Sequence, residues 1–167
     1  MTDEAALAPH PADDRGESRD ERMDRNFVEL LQELRVTQTG VQILAGFLLT
    51  LPFQQRFSML DDLQRTAYLV SLSCAVLATA LLVAPVSAHR VLFRRHAKRQ
   101  LVSFADKAAL SGLAALAASI VSASFLIFDV VLGGSAGVTA AVLAALLFLV
   151  NWVVLPMVLR ARLPRQE

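Results

Sequence analysis

The sequence predicts an all-α membrane protein, with four transmembrane helices and an N-terminal cytoplasmic amphipathic helix. Three observations carry this. The 167-residue chain is 55% hydrophobic and only 19% charged. It holds four apolar runs, about residues 36–53, 66–86, 108–130 and 138–159, with no Lys, Arg, Asp or Glu until their ends. Each is long enough, or nearly so, to cross a hydrocarbon layer of about 30 Å as a helix. A water-soluble chain of this length would have too small an interior to hide four such runs. Finally, the formal charge of +1 conceals a strong segregation of cations along the chain.

Residues 1–23 read as a disordered acidic tail. Positions 1–22 hold seven acids against three arginines and show no apolar period. They lack the positive start and immediate apolar core of a secretory signal. Order is expected from Asp24, a residue suited to cap a helix, because Phe27, Leu30, Leu31 and Leu34 follow at helical spacing. Arg25, Glu29 and Glu33 occupy the other side, with Arg25 and Glu29 at the i,i+4 spacing of an ion pair. Neither Pro nor Gly interrupts 24–39. The amphipathic segment therefore either continues into the first span or bends near Arg35 and lies on the membrane surface.

The transmembrane domain is assigned to residues 24–160. Its first span is the least apolar. Arg35, Gln38 and Gln42 form a stripe continued by Ala45 and Leu49, and Thr39, Gly46 and Thr50 lie on an adjacent strip. Amides in hydrocarbon favour an inward face where they find partners. On depth, Gln42 is expected to bond Asn151 in the fourth span. Pro52 ends or bends the first helix, and Phe53, Phe57, Met59, Leu60 and Leu63 predict an interfacial helical turn. The second span starts near Tyr68, an aromatic suited to interfacial depth. It presents Ser71, Ala75, Ala78 and Leu82 on one face, and carries Pro85 near its end, where a helix is cheap to kink or stop. The third span repeats Ser111, Ala115, Ser119 and Ala123, with Ala108 and Gly112 beside them, which predicts close helix packing. Asp129 precedes a turn over 133–137, and Asn151, Trp152 and Pro156 lie in the inner half of the fourth span.

Segment 89–100 carries Arg90, Arg94, Arg95, Lys98 and Arg99 interleaved with Val91, Leu92 and Phe93. Its cations suit anionic lipid headgroups over 90–99, and a basic membrane loop explains them without nucleic acid. With the amino end inside, 14 of the 16 cations are cytoplasmic and only Arg56 and Arg65 are outside. That split predicts a multi-pass protein of the plasma membrane with both termini cytoplasmic, the basic tail 161–167 included.

The segments RNFVELLQELRVTQTGVQ (25–42) and APVSAHRVLFRRHAK (84–98) resemble a family of small four-span membrane proteins from actinobacteria and related bacteria, catalogued as a domain of unknown function. The resemblance covers about residues 24–159 and implies the fold and the membrane location. It implies no catalytic residue, ligand or mechanism.

Reaction chemistry is absent from the pattern. Cys74 is the single cysteine, and His10, His89 and His96 show no metal-ligand spacing. No cofactor or metal is expected. Glu29, Glu33 and Arg35 fall on the same predicted side as His89, Arg90 and Arg94, and could pair as a charged cluster with a proton-sensitive histidine. Asp129 is expected to cap or contact its turn. The expected role is a non-enzymatic accessory, assembly or structural subunit, bound in the bilayer to a second copy or another membrane protein. The alternative is a small oligomeric ion or proton channel. The topology is checked by cysteine labelling in a Cys74-free background: sites within 89–100 should be reached only from the cytoplasm, and labelling only from outside would refute the orientation.

Overall fold

Residues 24–39 offer nothing to break a helix, and none breaks. In a computed structural model, which describes residues 19–92 and 98–162, helix α1 (Arg19–Thr50) is continuous from the charged prehelix into the first span. The surface-lying alternative is not taken. The chain is already helical at Arg19, five residues before the expected cap at Asp24, in a stretch whose Arg, Glu and Met are good helix formers. Arg25 and Glu29 form the i,i+4 ion pair at 3.9 Å.

Past α1 the chain makes two 3₁₀ turns, Leu51–Phe53 and Gln55–Met59, where the sequence predicts an interfacial turn. Helix α2 (Asp62–Leu92) is started by a capping box. The Gln64 backbone N–H donates to Asp61 Oδ1 at 2.8 Å, and the Asp61 N–H donates to Gln64 Oε1 at 3.2 Å. Pro85 does not stop the helix, which continues to Leu92. Helix α3 (Lys98–Leu132) ends where Gly133 and Gly134 take left-handed φ of 72° and 58°, the conformation glycine allows at little cost. Helix α4 (Ala136–Leu149), a π-helical turn (Val150–Val154) and α5 (Leu155–Arg162) make up the last span. Four helices are thus long and apolar enough to cross a membrane, and no strand occurs among the described residues.

The centre of the bundle is the antiparallel α2–α3 pair. Tyr68, Ser71, Ala75, Ala78, Leu82 and Pro85 are buried along α2 at alternating steps of three and four, the pattern of a helix seam. They face Ala105, Ala108, Ala109, Gly112, Ala115, Ser119, Ala123 and Leu126 of α3. The axes come close because these side chains are small: a Cβ added at Gly112 would lie 2.8 Å from Leu82 Cγ. The predicted ladder is present with one correction. Ser111 is exposed, since the contact line runs through Ala108, Gly112, Ala115 and Ser119, one position round the helix.

Helix α1 packs on α2 through Leu34, Val41 and Leu48, a strict seven-residue repeat. This corrects the predicted inward stripe. Gln38 and Ala45 are half-buried at its edge, but Arg35, Gln42 and Leu49 face out. The branched apolar side chains fill the groove on α2 better than the amides, and they set the rotation of the helix. Helix α4 meets α3 at Gly137, where an added Cβ would lie 2.7 Å from Asp129 Cβ and 2.9 Å from the Phe125 carbonyl. Among the described residues α4 packs on α3 and not on α1 or α2. Ala115→Leu should therefore lower detergent stability by about 1–3 kcal/mol through overpacking of the α2–α3 seam. An unchanged melting profile would place this face in lipid.

Candidate functional site

Three prolines lie in the spans, and a side chain meets the carbonyl that one of them leaves open. Proline has no N–H, so in a helix it leaves the carbonyl four residues earlier without its donor. Pro52 does this to Leu48, and the buried Tyr68 hydroxyl donates to that carbonyl at 3.2 Å. The Tyr68 ring is held edge-on against Phe57, with centroids 5.0 Å apart. Tyr68 thus bonds α2 to the end of α1. Pro85 leaves Leu81 without its helical donor, and the amide of Gln38 donates to the adjoining Leu82 carbonyl at 2.6 Å. Near Pro156 the helix loosens into the π turn, and the Asn151 amide donates to Leu147 of its own helix at 2.9 Å. Local π adjustments and neighbouring side chains are the routes by which proline is tolerated within a membrane.

Two further polar contacts tie helices together. Ser71 Oγ donates to the Ser119 carbonyl at 2.9 Å, and Ser119 Oγ donates to the Ser71 carbonyl at 2.8 Å, with the two hydroxyls 3.3 Å apart. At the other node, Gln64 Nε2 donates to Asp129 Oδ2 at 2.8 Å. Gln64 is already half of the capping box of α2, and Asp129 lies against Gly137 of α4. One carboxylate therefore joins the start of α2, the end of α3 and the start of α4. The Gly133 N–H donates to the Asp129 backbone carbonyl at 2.9 Å, closing the last turn of α3.

The expected Gln42–Asn151 pair does not form. The helices that carry them are not in contact, and the Asn151 amide is spent on its own backbone. The charged cluster is described only in part. Glu29 pairs with Arg25, while Glu33 and Arg35 are exposed. Opposite Gln38 and Leu82, the antiparallel register brings the backbones of His89 and Arg90 level with the prehelix. Their side chains, and Arg94 entirely, lie outside the described residues. Among the described residues no three His, Cys, Asp or Glu side chains are placed to hold a metal, and Cys74 is a half-buried free thiol. Tyr68, Ser71, Ser119 and Gln64 were not read as polar partners from the sequence; a proline in an apolar run, which demands a donor nearby, was the available signal for Tyr68.

An open groove of about 710 Å³ lies between α3 and the C-terminal half of the last span. Leu110, Ala114, Ala117, Ala118 and Val121 form one wall, and Ala145, Phe148, Trp152 and Pro156 the other. Phe148 and Trp152 meet edge to face, centroids 4.8 Å apart.

Four apolar helices, packed by small residues and joined by side chain-to-backbone bonds, define an all-α multi-pass membrane protein. The chain belongs to a family of unknown function (DUF6328), whose match covers residues 16–156. No curated protein and no solved structure matches it.

The serine pair offers a direct measure of the glue. Ser71→Ala and Ser119→Ala should each cost about 0.6 kcal/mol, at most about 1.7. Because the hydroxyls touch, the double variant should lose less than the sum of the two. Denaturation in detergent checks this, and strict additivity would mean that the two bonds are independent.

Proposed function

We propose that this chain is a non-enzymatic accessory or assembly subunit of the plasma membrane, with both termini cytoplasmic, that binds a second copy or another membrane protein through the uncovered face of α1. The observation that carries the reading is Gln42. Its side chain is exposed in the middle of the first span, and no hydrogen bond within the described chain engages it. An amide left toward hydrocarbon is costly, and bonding it across helices removes that cost.

The surroundings of Gln42 support close approach by another helix. Thr39, Gly46 and Thr50 are exposed on the same side, and both threonine hydroxyls are turned onto carbonyls of their own helix. A Cβ at Gly40 or Gly46 would have nothing within 4 Å, so neither glycine is needed for packing inside the chain. Small residues flanking an amide suit a helix–helix contact in lipid.

The channel alternative would have needed Gln38, Gln42 and Asn151 on one wet path. Two of these amides are bonded to backbone carbonyls and the third faces outward, which favours the assembly reading. Gln42→Leu should abolish or weaken oligomeric assembly, read by cross-linking in native membranes, with the melting of the single chain unchanged. Intact assembly together with altered proton or monovalent-ion flux in liposomes would instead establish conduction. Intact assembly and unchanged flux would remove Gln42 from either role.

A further inference from the structure

The α3–α4 groove has a direction. Its α3 wall runs from Leu110 to Val121 and its other wall from Ala145 to Pro156. At the rise of an α-helix each wall is about 16 Å long, close to half of the ~30 Å hydrocarbon core. The groove is therefore the length of one leaflet. It is lined almost wholly by carbon, and Asn151, the one amide in its wall, already donates to Leu147. A partner helix would find a single amide there, with one of its N–H groups already engaged.

The end of the groove is basic. Lys107 lies one turn before Leu110 on α3, and Arg160 one turn beyond Pro156 on α5; both are exposed, with Arg162 following. Asp106 is exposed beside Lys107 and leaves the end net positive. Cations within reach of the interface attract anionic headgroups, and their long stems extend toward phosphates from the edge of the hydrocarbon.

We propose that this groove is a binding site for an anionic phospholipid of the adjoining leaflet, one acyl chain lying between α3 and the last span and the headgroup phosphate held between Lys107 and Arg160. Apolar lining, length of one leaflet and cations at one end only are together what such a lipid requires. This site is separate from the α1 face and stands whether or not that face binds a partner.

The test uses the full chain in detergent with added phosphatidylglycerol or phosphatidylcholine of the same acyl composition, followed by thermal melting and by native mass spectrometry of retained lipid. Retention should favour phosphatidylglycerol on the order of tenfold. Lys107→Gln with Arg160→Gln should bring the preference close to unity without lowering the melting temperature of the lipid-free protein, and Lys107→Arg with Arg160→Lys should keep it. Ala118→Trp, which fills the groove from an exposed position, should reduce retention of both lipids. Equal retention of the two lipids by the native chain, a preference that survives the double Gln variant, or retention untouched by Ala118→Trp would each overturn the proposal. Cross-linking of two copies through a cysteine at position 118, with added lipid failing to suppress it, would show that a second chain occupies the groove and would also overturn it.

Discussion

A carbonyl in hydrocarbon must find a donor within the protein, and three prolines in these spans remove donors. One of those deficits is met by a side chain of another helix. The Tyr68 hydroxyl donates to the Leu48 carbonyl that Pro52 leaves open, and in doing so fixes the end of α1 to the start of α2. Gln38 adds a second bond between the same two helices, to the Leu82 carbonyl next to the one that Pro85 leaves open. The two bonds lie on either side of Val41, within the Leu34–Val41–Leu48 seam, so they set the axial register that nonspecific apolar packing leaves free. In lipid the apolar contacts alone have no hydrophobic driving force behind them, which is why these few polar bonds carry more of the specificity than their number suggests.

The α2–α3 pair solves the same problem by proximity. Alanine, serine and glycine along both faces let the backbones approach until a serine hydroxyl can reach across to the partner's carbonyl. A larger residue at either serine would forfeit the bond and also part the helices. The capping box of α2 and its link to Asp129 then close the end of this pair and carry the chain into α4. Here one Gln serves twice: its oxygen completes the cap and its nitrogen meets the carboxylate.

Much of this was legible in sequence. The four spans, the small face of α2, the Ala115–Ser119–Ala123 ladder and the Arg25–Glu29 pair follow from periodicity and spacing. The rotation of α1 did not. Polarity was weighed above shape there, and the side chains that settle the rotation are Leu34, Val41 and Leu48, whose repeat of seven was visible but was not set against the amide stripe. The Gln42–Asn151 pairing failed for a topological reason. It assumed a closed ring in which the first and last spans meet, whereas α4 is held by α3, and periodicity within a helix carries no information about which helices are neighbours. The pairing of Tyr68 with the carbonyl opened by Pro52 was half legible: both residues were in view, but matching a donor to an open carbonyl needs the register between helices.

The position of α4 follows from unequal side chains on its two ends. At Gly137 nothing separates it from Asp129 and the Phe125 carbonyl, so the end of α3 and the start of α4 touch. Farther along, α3 offers Ala114, Ala117 and Ala118, while α4 brings Phe148 and Trp152 stacked edge to face. An aromatic pair cannot settle into an alanine surface as closely as glycine meets a backbone, and the π turn with Pro156 beyond it prevents the last span from following α3 as a regular helix. The helices therefore stay closed at one end and part at the other. The groove is a consequence of that gradient in side-chain size, with one end defined by the tightest contact of α4 and the other by the cations where the chain leaves the hydrocarbon.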